Sequence, residues 1–192
     1  MGRPKLLLPW CHQSILGHLV ETWRTLGAEE IAIVHAPDDR GILAELDRLA
    51  FPGATRIPNP LPDLGMFSSI QCAARWERWS AAVTHWAIVL GDQPHVGLAT
   101  LRDVSQFSAG HPQQICLPRQ GGHRRHPVVL PRDSFLELRN STATDLKAFL
   151  DQHAATVAIF ESADPALGLD IDTPQDYDKM KDVFLTRNRK SD

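Results

Sequence analysis

The stretch Trp86-Ala87-Ile88-Val89-Leu90-Gly91-Asp92-Gln93-Pro94 constrains this chain more than any other. Ala87 to Leu90 is a continuous apolar run, rich in branched side chains and bounded by a glycine and a proline, which is how a strand buried on both faces of a parallel sheet reads. Asp92 follows directly, where open α/β sheets set their ligand sites, outside the carboxyl ends of the strands. A carboxylate there can hold a hard cation such as Mg2+ against a phosphate. Taken alone it serves equally well to cap the next turn.

The surrounding pattern supplies the rest of such a sheet. Ile15, Leu19, Trp23 and Leu26 recur at helical steps after Ser14, with Gly27 in the place of a C-cap. Ile31-Ala32-Ile33-Val34 is the first clear strand. Asp38 and Asp39 open a second helix whose Ile42, Leu43, Leu46 and Leu49 face inward. Thr55 to Ile57 reads as a short strand, and the proline-rich segment Pro58 to Gly65 as a loop. A helix is expected from Ser68 to about Trp79, with Trp76 and Trp79 as packing anchors at helical spacing. Leu98, Leu101, Val104 and Phe107 mark another helix. Ile115 to Leu117 and Pro127 to Leu130 read as strands around the Gly121-Gly122-His123 turn. Helices around Phe135 to Leu138 and Leu146 to Leu150, and a strand from Thr156 to Phe160, follow. Near the end, Thr173 is an N-cap with Pro174 at the first helical position and Asp176 completing a capping box. Strands alternating with helices predict an α/β fold, a three-layer doubly wound Rossmann-like sheet.

At 192 residues the chain fits one domain, taken as 1–185 with a polar tail over 186–192. A net charge of −3, with no basic block before Arg187-Asn188-Arg189-Lys190, argues against a nucleic-acid partner. The three cysteines, Cys11, Cys72 and Cys116, lie far apart and form no CxxC pair, so neither a disulfide framework nor a cysteine zinc site is suggested. No apolar run approaches the roughly 20 residues of a membrane span, and the protein reads as cytoplasmic.

Lys5, Asn59 to Ser69, Asp92-Gln93-Pro94 and Asp170-Ile171-Asp172 each fall in a loop or beside a strand end, so one sheet rim could gather them. A lysine, separated carboxylates and a helix start with two serines suit a polyphosphate and its metal. The Walker spacing GxxxxGK[ST] is missing from the sequence. His123 and His126 form an HxxH pair, which on a loop without further ligands is ordinarily solvated surface.

Five motifs in order carry a resemblance: Gly2 to Pro9 with Lys5; Asn59-Pro60 with Gly65-Met66 and Ser68-Ser69; Leu90-Gly91-Asp92-Gln93-Pro94; His126-Pro127-Val128; and Asp170 to Tyr177. Together the chain resembles the MobA-like nucleotidyltransferases, most of all the molybdenum cofactor cytidylyltransferase branch. That resemblance implies transfer of a nucleoside monophosphate from an NTP, CTP in that branch, to molybdopterin cofactor or another phosphorylated acceptor, with pyrophosphate leaving. Carried over by position, Lys5 would hold the triphosphate, Asp92 would bind Mg2+, and Asp172 would be the second metal carboxylate with Asp170 as its substitute. Asn59, Gly65 and Ser69 would lie near nucleotide or acceptor, and His126 beside the acceptor. The partners so implied are these small molecules and a molybdoenzyme or its chaperone, with no nucleic acid and no membrane.

Two features depart from the family pattern. Its signature opens with an apolar strand and a glycine-rich loop directly before the segment that holds Lys5, whereas this sequence begins at Met1 of that segment. Ile31 to Val34 and Ala87 to Leu90 are therefore expected to flank an unfilled slot with unpaired strand edges. The expected explanation is a true start upstream of Met1; a degenerate paralogue is the other. Second, Asn140 to Lys147 replaces a glycine- and arginine-bearing loop, which leaves the acceptor open. Two other readings stand beside the first: a nucleotide-sugar glycosyltransferase using Asp170-Ile171-Asp172 as its DxD motif, and a non-catalytic nucleotide- or molybdopterin-binding module.

Overall fold

The computed structural model describes residues 4–188; Gly2 of the amino-terminal motif and the tail beyond residue 188 lie outside the described residues. Helices α1 (Ile15–Thr25), α2 (Arg40–Arg48), α3 (Met66–Arg75), α4 (Leu98–Ala109), α5 (Arg132–Glu137), α6 (Leu146–Gln152) and α7 (Pro174–Asn188) alternate with short strands, as the pattern predicted. The larger sheet joins β5 (His85–Ile88), β8 (Val128–Pro131), β6 (Ile115–Gln120) and β9 (Val157–Glu161), with β7 (His123–Arg124) folded back on β6. A separate parallel pair joins β3 (Ile33–His35) to β4 (Arg56–Pro58), and β1 (Pro9–Trp10) pairs with β2 (Gln13–Ser14) in a hairpin.

Side-chain alternation makes the larger sheet the centre of a sandwich. Ile115, Leu117, Val128 and Leu130 point to one face, where Phe67, Ile70, Phe135, Phe149 and Leu150 of α3, α5 and α6 cover them. Cys116, Val129 and Ala158 point to the other, under Val104 and Phe107 of α4. Trp86 stacks face to face on Phe135, with ring centroids 4.4 Å apart. Around β3, Leu16 and Val20 of α1 meet Ile42 and Leu46 of α2. Trp10, Ile15 and Ile171 seat Met180 and Phe184 of α7 against the amino-terminal hairpin. The fold is the expected layered α/β type.

Three local expectations change. The central strand is not in a parallel environment: β5 runs antiparallel to β8, from His85 opposite Pro131 to Ile88 opposite Val128. Periodicity cannot distinguish parallel from mixed pairing, because both bury the same apolar run. The third helix begins earlier, at Met66 after Gly65, and ends at Arg75 rather than Trp79. Trp76 takes extended backbone, and Trp79 turns back so that its indole N–H donates to the Ala73 carbonyl at 2.9 Å, a second bond to the oxygen that already accepts from the Trp76 amide. Trp79 anchors packing, edge-on to Trp86, without being helical. The hairpin of β1 and β2 gave no strand signal, since each arm holds only two residues.

The sheet is divided where the slot was expected. Among the described residues β3 pairs only with β4, and β5 only with β8. Between the two edges lies a cavity of about 680 Å3, walled by Ile31 to Val34, Thr84 to Gly91 and apolar side chains of α1 and α3. Val89 is consequently 39% exposed, and residues 31–34 are only half-buried despite their apolar composition.

Backbone amides of residues 31–34 and 86–89 that face this slot are expected to exchange with deuterium at least tenfold or so faster than those of β8, which pairs on both sides; uniform protection would contradict the division. Leu130→Ala, at a fully buried position of β8, is expected to lower unfolding free energy by about 2–5 kcal/mol in denaturant titration.

Candidate active site

The rim beyond β5 is assembled by two loops that lock side by side. The Ile171 amide donates to the Asp92 carbonyl at 3.1 Å, and the Gln93 amide nitrogen donates to Asp170 Oδ1 at 2.8 Å. Further along, His95 Nε2 donates to the Ala166 carbonyl at 3.1 Å and Thr100 Oγ1 donates to Asp164 at 2.6 Å. Val96 and Leu101 pack on Ala166 and Leu167 behind these bonds. Beyond the second loop, the capping box forms as read: the Asp176 amide donates to Thr173 Oγ1 at 3.1 Å, and the Thr173 amide donates to Asp176 Oδ2 at 2.9 Å. Thus Asp170 and Asp172 are held between a locked loop and a capped helix.

Lys5 arrives from the amino-terminal turn, Lys5–Leu7, and its Nζ donates to Asp172 Oδ1 at 2.6 Å. That hydrogen bond raises the lysine pKa above its usual value, with Asp92 and Asp170 adding to the pull. Asp92 moves the other way for a carboxylate that must stay ionised: burial raises its pKa, and the neighbouring Asp170 raises it further, against a smaller lowering by Lys5. Its Oδ1 is buried without a hydrogen-bond partner. A buried oxygen with no donor, beside a second carboxylate, is the arrangement a hard cation would relieve. Among the described residues no group of three or more His, Cys, Asp and Glu forms a ready-made cage.

Asn59 is 1% exposed and its side chain is fully engaged. Its amide donates to Ser68 Oγ at 2.8 Å and Ser69 Oγ at 3.0 Å, while its Oδ1 accepts from the Leu61 amide at 2.9 Å. Asn59 therefore shapes the loop from within and leaves the Ser69 hydroxyl proton available. Gly65 opens α3 at φ +81°, a conformation that side chains rarely take, and frees the helix amides that follow. Ser69, Leu6 and Gly91 line the same cavity, so this loop and the Asp92 loop share one rim.

His126 sits on the far side. Its Nδ1 donates to the Ile88 carbonyl at 3.1 Å, which assigns the proton to Nδ1 and leaves Nε2 as an acceptor. Burial lowers its pKa, so the ring is neutral at physiological pH although Asp92 and Asp170 pull upward. It offers no positive charge to a phosphate. Asp145, in the segment that departs from the family, caps α6 by accepting from the Ala148 amide at 2.7 Å. Sequence reasoning gave no task to Gln93 or to His18, whose Nε2 donates to the Pro94 carbonyl at 3.0 Å. Only the unbroken motif around Asp92 hinted that its neighbours mattered.

Comparison with known proteins now has a geometry to meet. The family model of the MobA-like NTP transferase domain matches residues 1–157. A search of curated proteins by sequence gives no match. Among solved structures, Rv0371c from Mycobacterium tuberculosis H37Rv superposes with a TM-score of 0.74 at 24% identity, covering 95% of this chain and 90% of that one. The same protein is also known as a manganese complex, with a TM-score of 0.66 at 23% identity over 94% of this chain and 93% of that one. Molybdopterin-guanine dinucleotide biosynthesis protein A from Archaeoglobus fulgidus reaches 0.64 at 14% identity, over 95% and 91% of the two chains. A CMP:2-keto-3-deoxy-manno-octonic acid synthetase complexed with CTP reaches 0.66 at 15% identity, over 95% and 92%. At such identities these likenesses establish the fold.

Asn59→Ala removes a buried amide's bonds to two half-buried serine hydroxyls and to the Leu61 amide, and is expected to cost about 1–3 kcal/mol of stability in a denaturant titration. An unchanged midpoint would free Asn59 for ligand contact instead.

Proposed function

We propose, from the premise that this chain belongs to the MobA-like NTP transferase family, that it moves CMP from CTP to a phosphorylated acceptor of the molybdopterin kind and releases pyrophosphate. The observation that carries this reading is the Asp92 carboxylate in the loop beyond β5, with a buried oxygen that nothing satisfies, beside Asp170 and the Lys5–Asp172 pair. Asp92 would hold Mg2+ together with a carboxylate of the Asp170-Ile171-Asp172 stretch. Bound there, the ion would neutralise the charge that gathers on the transferred and leaving phosphates. The manganese complex of Rv0371c and the CTP complex of the synthetase support a divalent cation and a nucleoside triphosphate. The archaeal molybdopterin protein supports the acceptor.

The side chains divide the work in a way that matches the chemistry. An acceptor phosphate oxygen attacks the α-phosphorus of the triphosphate, and the bond to the bridging oxygen breaks with its electron pair leaving on pyrophosphate. That acceptor is already anionic at neutral pH, so no general base is required, and catalysis is in-line positioning plus charge neutralisation. Lys5, held over the site by Asp172, would pass to the triphosphate. The free amides at the start of α3 and the Ser69 hydroxyl would take anionic oxygens. Neutral His126 would accept a hydrogen bond through Nε2 from the acceptor.

The test is pyrophosphate release from CTP with molybdopterin and Mg2+. Asp92→Asn is expected to lose about a thousandfold or more in turnover, since several kcal/mol of transition-state stabilisation depend on a metal carboxylate. Its melting temperature should hold or rise, because the substitution removes a buried charge that Asp170 repels. Near-normal turnover in that variant would end the assignment. Lys5→Gln is expected to raise the KM for CTP about tenfold, the loss of one charge on the triphosphate. Release of a nucleoside diphosphate instead of pyrophosphate would move the reading to a glycosyltransferase, and cofactor binding without turnover to a carrier.

A further inference from the structure

Gln93 differs in kind from its neighbours in the loop after β5. Asp92 and Pro94 have roles in the site and the turn, whereas Gln93 turns inward and is only 9% exposed. Its amide nitrogen lies 2.8 Å from Asp170 Oδ1 and 3.5 Å from the carbonyl oxygens of both Leu167 and Leu169. One buried donor therefore meets the backbone of the 165–170 turn and a carboxylate at its end. The short contact is the one to the carboxylate, as expected for a charge-assisted bond. Asp170 carries its own charge toward Asp92 from that position, since it contributes more than Asp172 to raising the Asp92 pKa. Asp172 is meanwhile drawn to Lys5.

We infer that Gln93 is a positioning residue: by holding Asp170 against the loop after β5, it makes Asp170 the carboxylate partner of Asp92 in cation binding. Side-chain chemistry at position 93 supports the assignment. Leucine could fill the space but donates nothing, and glutamate would set a like charge against Asp170. Glutamine alone among residues of this length donates while carrying no charge. The backbone bond from Ile171 to Asp92 fixes the distance between the two loops, and the Gln93 amide then fixes which way the Asp170 side chain turns. This inference rests on the proposed divalent-cation site and adds to it which carboxylates share the ion.

A double-mutant cycle read by Mn2+ binding, followed by electron paramagnetic resonance of the free ion, tests it without any turnover. Gln93→Leu is expected to weaken Mn2+ binding about tenfold, the scale of a lost orienting contact to a metal ligand. Asp170→Ala should weaken it to a similar or greater degree, and the double variant should bind no more weakly than Asp170→Ala alone, because the glutamine acts through that carboxylate. Gln93→Met, which keeps the length of the side chain, reads the same cycle if the leucine variant is poorly folded. Unchanged binding in the Gln93 variants, or losses that multiply in the double variant, would overturn the positioning role while leaving the cation site intact. No Mn2+ binding by the unaltered chain would overturn the cation site itself and this role with it.

Discussion

The bond from the Ile171 amide to the Asp92 carbonyl ties together two segments 79 positions apart in sequence, and the rest of the site depends on it. Without it, the DxD stretch at 170–172 would be the exposed start of a carboxyl-terminal helix. With it, that stretch becomes the second bank of the cleft that opens beyond β5. The tie is cooperative, because Gln93, His95 and Thr100 repeat the same cross-loop connection along its length. It is also dry on one side, where Val96, Leu101, Ala166 and Leu167 exclude water from the polar bonds. A ladder of this kind has few intermediate states, so the carboxylates it carries arrive together.

Charge balance explains why the ladder must be so stiff. Asp92, Asp170 and Asp172 converge on a rim to which Lys5 brings the compensating cation and at which His126 is neutral. Burial, and then the neighbouring Asp170 charge, disfavour the ionised form of Asp92. A bound cation would relieve this penalty, and ionisation perturbed in this way clusters at functional sites.

Much of this was legible in the sequence, and the limits have physical causes. The capping box at Thr173 and Asp176 and the helix start at Asp39 are local signals, and each formed where it was read, whereas β5 closes at Ile88, short of the Leu90 at which its apolar run ends. Pairing direction was not legible, since β5 buries the same side chains beside an antiparallel β8 as it would beside a parallel neighbour. The end of α3 was misplaced because Trp76 and Trp79 keep apolar spacing after the helix has stopped, and the indole of Trp79 caps what it was thought to extend. Gln93 escaped notice for a different reason. A glutamine next to the candidate metal aspartate carries no periodicity and no charge, and its partner at Asp170 is visible only after folding.

Leu6 packs with the cores around both α1 and α7 and presses its side chain where a Cβ on Gly91 would stand. Gly91 thereby allows the turn that carries Lys5 to lie directly over the end of β5, bringing the lysine to the carboxylates from the opposite side of the slot. The two halves of the sheet are thus held in register by α1, α3 and this amino-terminal turn rather than by strand pairing, while the apolar edges of β3 and β5 face each other across the cavity. Apolar side chains left half-buried beside unpaired backbone groups are the costliest surface the molecule presents. Leu6, Ser69 and Gly91 line that same slot, so the divided sheet and the candidate site share one wall.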